Sequence, residues 1–358
     1  MIVESIKLDH FRNYDRLELH FDSGTNLFYG DNAQGKTNIL ESVYLCGTTR
    51  SHRSSRDRDL IQFGKDESHI QMLIRKGDVP YRIDMHLKKY KSKGIAINGT
   101  PVRKAAELIG LGSFIFFSPE DLNIIKNGPS ERRKFLDMEL CQLDKIYLYN
   151  LSNYNKILTQ RNHLLKDYAF SRDADAVLDV LDLQMVKFGS PVIRLRREFS
   201  KRLDELVSVI HGNLSGGREK LRLKYEDDVA EDEFLSKLTS IREKDIRTKV
   251  TNVGPHRDDI CFLVDGVDIR RFGSQGQQRT AALSLKLSEI EIVKKSIKDT
   301  PVLLLDDVLS ELDSSRQKYL LDNICNIQTM ITCTGVDDFV NNNFQINKLF
   351  QVVSGGVK

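Results

Sequence analysis

No run in the chain approaches the roughly 18 consecutive apolar residues that a membrane-spanning helix needs. The most apolar stretch, PVLLLDDVL, already carries two aspartates, so a spanning segment is not expected. The N-terminal MIVESIKLDHF lacks the basic start and apolar core of a secretory leader, and none is expected. Cysteine is sparse: Cys46, Cys141, Cys261, Cys325 and Cys333 are odd in number, scattered, and form no C-x-x-C pair. That pattern argues against a disulfide framework or a zinc site and for reduced thiols in a cytoplasmic protein. Internal repeats and low-complexity tracts are also missing.

What is present is an ordinary globular composition, 40% hydrophobic and 29% charged, with length for one large domain or two. The net charge of +3 hides an asymmetry. Residues 50–104 hold fourteen Lys/Arg against six Asp/Glu, a net +8, so the rest of the chain carries −5. Such a basic segment is a candidate footprint for nucleic acid, or simply a solvated charged face.

Hydrophobic periodicity divides the chain into three parts. In the first, RLELHF alternates Leu17, Leu19 and Phe21 with polar residues, the pattern of a half-buried strand. TNLFYG runs into GDNAQGKT and then TNILESVYL, which reads as strand, glycine loop and helix. HIQMLIRK, YRIDMHL and GIAINGT are paired strands with an Asn-Gly turn, and SFIFF is a buried strand before a helix capped by Ser118. From about Pro119 to Lys249 the pattern becomes helical. Tyr147, Leu151, Tyr154, Leu158 and Leu165 fall on a heptad interrupted by Arg161. Leu178, Leu181, Met185, Phe188, Val192, Leu195 and Phe199 form a second, so an antiparallel helical hairpin is expected. Pro191 should kink or break its second helix. After Lys249 the α/β character returns, with a hairpin around Asp265-Gly266 and a helix carrying Leu283, Leu287 and Ile290. PVLLLDD and QTMITCT follow as strands on either side of a helix, SSRQKYLLDNI.

Three motifs carry chemistry. GDNAQGKT fits G-x-x-x-x-G-K-[ST] at Gly30, Gly35, Lys36 and Thr37, with Asp31, Asn32, Ala33 and Gln34 between. Its amides would wrap phosphates, Lys36 would reach the β and γ groups, and Thr37 would ligate Mg²⁺. LLLDDVLSELD puts Asp306 and Asp307 at the end of a buried strand. There Asp306 would hold Mg²⁺, and Asp307 could orient or deprotonate the water that attacks the γ-phosphate. GSQGQQRT sets Ser274, Gly276 and Gln277 at a helix entrance, an anion-shaped corner more than two hundred residues after the first loop. Alone it would be a simple helix cap.

Together the three motifs resemble the ATPases of the ABC superfamily. FRNYDRLELHF, GDNAQGKTNILES, SFIFFSPEDLNIIKNGPSERRKFLD, GPHRDDI, SQGQQRT and LLLDDVLSELD, in this order, resemble the RecF family of recombinational DNA repair proteins over nearly the whole chain. The resemblance implies an α/β fold, an ABC-type P-loop ATPase head (1–118 and 250–358) with an inserted helical arm (119–249). It implies that Ser274, Gly276 and Gln277 bind the ATP of an opposing subunit, so that ATP holds a homodimer together. It also implies DNA binding, weak DNA-stimulated hydrolysis, and work with RecO and RecR in loading RecA at single-strand gaps. Arg12 and Asn13 are placed near the nucleotide by the same likeness. Arg50, Arg53, Arg56 and Arg58, then Lys88, Lys89, Lys91 and Lys93, are the DNA-contact candidates.

The sequence departs from transport ATPases at Ser118 to Glu120, where they carry a glutamine, and at Thr334, where they carry a histidine. Asp307 likewise stands in place of their glutamate. Slow turnover is expected, with ATP as a timer. The alternatives are another SMC-like head, a transporter ATPase subunit, whose corner normally lies much closer to the phosphate loop, and a small-molecule kinase.

Overall fold

The computed structural model describes residues 1–54, 56–170, 172–297, 299–335 and 344–358. Its contacts divide the chain into two compact units, Met1–Asp121 with Glu289–Lys358, and Leu122–Ser288.

The first unit begins with β1 (Ile2–Phe11), β2 (Tyr14–His20), β3 (Thr25–Tyr29) and α1 (Lys36–Thr48). β4 (Glu67–Lys76), β5 (Val79–Lys88), β6 (Lys91–Ile97), β7 (Thr100–Pro101) and β8 (Phe114–Phe117) follow. Strands of alternating burial build one antiparallel sheet, ordered β2-β1-β4-β5-β6-β7. Its last turn holds Asn98 at φ 52° and Gly99 at φ 79°, as the Asn-Gly signal predicts.

The second unit carries the helices: α2 (Leu122–Lys126), α3 (Pro129–Leu143), α4 (Lys145–Lys166) and α5 (Ala174–Leu214). Then come β9 (Leu221–Glu226), α6 (Phe234–Ser240), α7 (Arg242–Thr248), β10 (Asp259–Val264), β11 (Val267–Asp268) and α8 (Ile269–Phe272). α9 (Gln275–Ile297) starts in this unit and ends in the first. The first unit is completed by β12 (Val302–Asp306), α10 (Ser314–Asn323), β13 (Thr329–Cys333), β14 (Lys348–Val353) and β15 (Gly356–Val357). These enter a second sheet, ordered β15-β14-β3-β13-β12-β8 and parallel from β14 to β8. β12 and β8 are buried along their whole length, as continuous apolar runs such as VLLLD and FIFF require.

α4 and α5 pack as the expected hairpin. Tyr147 meets Arg196 while Arg161 meets Asp182, so the two helices run antiparallel. Three findings differ from the sequence reading. Of the kink or break expected at Pro191, the break does not occur: α5 continues from Ala174 to Leu214. A proline removes a single backbone bond, and packing of Met185, Val192 and Ile193 in the core holds the helix across it. Arg161 does not interrupt the packed face: it is fully buried on Asp182 (2.7 Å), Asp245 (2.7 Å) and Thr251 (3.0 Å). Residues 250–288, expected with the head, cluster with the arm. The cause is β10, which pairs antiparallel with β9 from Asp259↔Glu226 to Val264↔Leu221.

The GPHRDD block ties this unit together. Asp259 holds Arg132 through two bonds, at 2.6 and 3.0 Å, and Asp258 accepts from Arg196, Tyr225 and the Asp228 amide. His256 Nε2 donates to the Thr251 carbonyl (3.0 Å), so its Nδ1 accepts from the Tyr154 hydroxyl (2.7 Å). Burial pulls the His256 pKa down to about 4, against the Thr251 bond and with help from Arg257. In the unfolded chain the imidazole has its ordinary value near 6.5 and takes the proton more readily. This contribution to stability is therefore full above pH 6.5 and lost as pH falls to about 4, a change of about 3 kcal/mol. His256→Gln should flatten the pH dependence of urea-unfolding stability across that window. An unchanged slope in the variant would show that another group sets it.

Candidate functional site

Gly30–Thr37 joins β3 to α1 at the C-terminal edge of the parallel sheet, where ligands collect in such folds. The loop turns through left-handed backbone at Gly30 (φ 148°), Ala33 (63°) and Gly35 (114°). A Cβ on Gly30 would lie 2.4 Å from the Val352 carbonyl oxygen, and one on Gly35 2.5 Å from Asn13 Nδ2. Space as well as torsion therefore demands glycine at both. Lys36, only 4% exposed, donates from Nζ to the carbonyls of Gly30 (2.7 Å) and Asp31 (2.9 Å). Asp31, Asn32 and Ala33 form the exposed rim.

Neighbouring segments brace this loop. Asn13 Nδ2 donates to Gln34 O (3.0 Å), and the Tyr14 hydroxyl donates to Gly35 O (3.1 Å). From the C-terminal hairpin, the Ser354 amide donates to Gln34 Oε1 (2.5 Å) and the Gly355 amide to Gln34 O (3.3 Å). The reading from sequence missed this support, because a bond from backbone amides to one glutamine leaves no pattern in the residues that supply it.

The ends of three parallel strands meet beside the loop. Thr37 Oγ1 and Thr332 Oγ1 both donate to Asp306 Oδ1, at 2.7 and 2.8 Å. Burial raises the Asp306 pKa; the two hydroxyls oppose the rise, Asp307 adds to it, and Arg53 opposes it. Such a carboxylate gains from an added cation, and its oxygen donors, with Thr37, are of the kind that Mg²⁺ selects. Asp307 takes φ 52°, a left-handed conformation uncommon outside glycine. Its amide donates to Thr332 Oγ1 (2.9 Å). With Asn32, Ser310, Thr332 and Thr334 it lines a cleft of about 410 Å³. The paired acids thus divide: one is held on the Thr37 hydroxyl, the other faces open space next to the loop.

Arg12 also has left-handed backbone, φ 53°, and grips Glu41 of α1 through two bonds at 2.9 and 2.8 Å. Glu41 receives Ser51 Oγ (2.5 Å) and Arg53 Nη2 (2.8 Å) as well. Burial alone would raise its pKa, but Arg12, Ser51 and Arg53 outweigh it and bring the carboxyl down to about 2. Glu41 was not singled out in the sequence, where it is one more acid on a helix. Its place four residues after Thr37, on a turn that α1 buries, was the available signal.

The DNA-contact candidates separate into two kinds. Arg53 donates to Asn38 Oδ1 (2.7 Å) besides Glu41, and with Arg12, Asn13, Asn38 and Arg58 it lines a cleft of about 830 Å³. Lys93 is largely buried, donating to the Thr49 carbonyl (2.5 Å) and Asp57 (3.0 Å), where it anchors the segment after α1. Arg50, Arg56, Lys89 and Lys91 are exposed. Lys88 and Lys89 stand 3.7 Å from Glu67 and 3.4 Å from Asp66.

In the second unit, Ser274 and Gln277 form a reciprocal capping box at the start of α9. Ser274 Oγ accepts from the Gln277 amide (3.1 Å), and Gln277 Oε1 accepts from the Ser274 amide (2.9 Å). The Gln277 side-chain amide donates to Glu219 (3.0 Å), whose other oxygen faces His211 Nε2 at 3.2 Å. Ser274 and Gly276 are exposed. The corner is therefore built and braced within the chain, with its outward side open.

A family profile for the RecF/RecN/SMC N terminal domain matches residues 2–355. The chain is 60% identical to the DNA replication and repair protein RecF of Agathobacter rectalis, over 100% of this chain and 99% of that protein. It is also similar to a solved structure of the recombination mediator protein RecF-ATP in the RecFOR pathway. That match has 36% identity and a TM-score of 0.93 over 99% of this chain and 96% of the other. The Smc head domain from Pyrococcus furiosus shares the fold at 16% identity, with a TM-score of 0.56 over 99% and 95% of the two chains.

Proposed function

The chain belongs to the RecF family of DNA replication and repair proteins, and on that premise we propose that it is an ATP-dependent DNA-binding protein of recombinational repair. ATP joins two copies, the dimer binds single-stranded and gapped duplex DNA in the cytoplasm, and slow, DNA-stimulated hydrolysis ends the bound state. With RecO and RecR it helps to load RecA, as part of the SOS response. The observation that carries the reading is the convergence of Thr37, Asp306 and Thr332 beside the glycine cradle that Lys36 closes.

Bound ATP with Mg²⁺ supplies the phosphoanhydride bond and a Lewis acid for its cleavage. Thr37 and Asp306 are the residues that would hold the metal, and the fit rests on their oxygen donors. The amides of Gly30 to Thr37 take phosphate oxygens, Lys36 adds a buried positive charge, and Arg12 and Asn13 border the same loop. Asp307, facing the open cleft, orients the attacking water or takes its proton. Ser274, Gly276 and Gln277 offer their outward side to the phosphates bound by a second copy.

The test measures mass by light scattering, and affinity for gapped, single-stranded and duplex DNA over a salt series, with and without ATP. ATP should double the mass, and log affinity should fall with log salt by about 0.9 for each phosphate contacted on a duplex. Turnover without DNA should lie well below the ~10 per second of a median enzyme. A salt slope near zero removes the phosphate-contact reading, and a mass unmoved by ATP removes the dimer.

A further inference from the structure

Two aromatic rings in the basic segment lie in water. Phe63 is fully exposed in the turn Gln62–Lys65, where the Lys65 amide donates to the Gln62 carbonyl (3.0 Å). Tyr90 is 82% exposed at the tip of the β5–β6 hairpin, between Lys89 and Lys91. Neither ring contributes to the core, so their presence has no packing reason. The fold brings them to one end of one sheet. Glu67 pairs with Lys88, and the Lys89 amide donates to the Asp66 carbonyl at 3.0 Å. Counting the chain from Phe63 to Asp66 and across that bond to Tyr90, the two Cα atoms lie at most about 20 Å apart. That is the span of a few nucleotides.

Charge around the rings is mixed and mostly positive. Lys65, Lys89 and Lys91 are exposed, and Arg58 lines the cleft that Phe63 borders. Asp59, Asp66 and Glu67 supply the negative side, facing Arg58 (3.7 Å), Lys89 (3.4 Å) and Lys88 (3.7 Å), with His86 on Glu67 (2.7 Å). The Lys89 ammonium lies 5.5 Å from the centre of the Tyr90 ring, within cation–π reach, and the ring's exposure leaves it open to a flat partner. Exposed rings spaced along a cationic edge are the chemistry that holds unpaired bases, whatever their sequence.

We propose that Phe63 and Tyr90 are a stacking platform for unpaired nucleobases of a single strand, with the surrounding lysines on its phosphates. The inference rests on the DNA-binding reading above and adds a preference to it. Paired bases hide their faces in the duplex stack, so this site engages only a strand, a gap or a frayed end. Phe63 also borders the cleft lined by Arg12 and Asn13, so a base at that ring has two sources, the strand or the adenine of ATP.

The test compares affinities, at saturating ATP, for an oligo-dT strand, a strand of the same length with abasic sites, and a blunt duplex. The unaltered protein should bind oligo-dT about ten-fold tighter than the abasic strand. In the double variant Phe63→Ala, Tyr90→Ala that difference should vanish, and Phe63→Trp with Tyr90→Trp should restore it. Equal affinity of the unaltered protein for the two strands would overturn the platform while leaving DNA binding intact. Equal loss on all three ligands would overturn it too, as a general effect on the lobe. Failure of the protein to bind any of the three refutes the DNA-binding reading and the platform together. In a parallel ATP titration, weaker ATP binding by Phe63→Ala with unchanged strand affinity would assign that ring to adenine and overturn its place here.

Discussion

Lys36→Arg is expected to lower ATP hydrolysis by about a hundred-fold or more while lowering ATP affinity less than ten-fold. The reason lies in how the ammonium is held. Nζ bonds to two carbonyls at 2.7 and 2.9 Å from a side chain that is almost wholly buried. A lysine head is compact and turns its protons in any direction, whereas a guanidinium is wide, planar and forked. The substitution keeps the positive charge, so most of the Coulombic attraction for the triphosphate survives. What it loses is the position of that charge, on which the transition state depends more than the ground state. Binding is measured by equilibrium titration with a fluorescent ATP analogue, and hydrolysis by phosphate release with and without DNA. Equal losses in both would mean that Lys36 acts mainly in binding, and the assignment of a catalytic role would fall.

The main lines of this site were legible because they depend on local chemistry. Phosphate loops need glycine where a Cβ would clash, and Gly30 and Gly35 meet that demand. Buried parallel strands read as apolar runs, and the two acids that end VLLLD stand out against them. Turns with positive φ announce themselves too: Asp265 and Gly266, at φ 50° and 85°, make the hairpin that the Asp-Gly pair predicts. What escaped is long-range and polar. Arg161 looks like a break in a heptad because periodicity counts apolar residues. Its charge is compensated by Asp182 and Asp245, which lie 21 and 84 positions away. β9 was overlooked among helices, although Leu221, Leu223 and Tyr225 alternate with charged residues as a half-buried strand should. That strand in turn moves residues 250–288 into the arm's unit. Arg53 was named from the sequence as a DNA-contact candidate, and only the fold reveals Glu41 and Asn38 as its partners.

Ser274→Arg should leave ATP affinity within about two-fold and raise the concentration needed for ATP-dependent dimerisation by about a hundred-fold or more. Inside the chain Ser274 is a helix cap, and its loss costs about 1 kcal/mol. A folded domain holding a total of about 5–15 kcal/mol survives that change. The bonds that shape the phosphate loop come from Asn13, Tyr14, Ser354 and Gly355, not from Ser274. Retention of ATP binding is thus expected for a chemical reason. The outward side of the corner is another matter, because Ser274 and Gly276 are exposed and, among the described residues beyond the adjoining backbone, a Cβ on Gly276 would come near Ser274 Oγ alone, at 3.8 Å. A long side chain at 274 fills the space through which a second copy's phosphates would approach. Ser274→Ala separates the two roles: it removes the same cap without adding bulk. The alanine variant should dimerise with moderately reduced affinity, and the arginine variant should remain monomeric at the same ATP concentration. Dimer formation that is equally weak in both would trace the effect to the cap, through the Gln277 bonds to Ser274 and Glu219. Undiminished ATP-dependent dimerisation of the arginine variant would mean that this corner faces water in the assembled protein, and its proposed role as sensor of the partner's ATP would be lost.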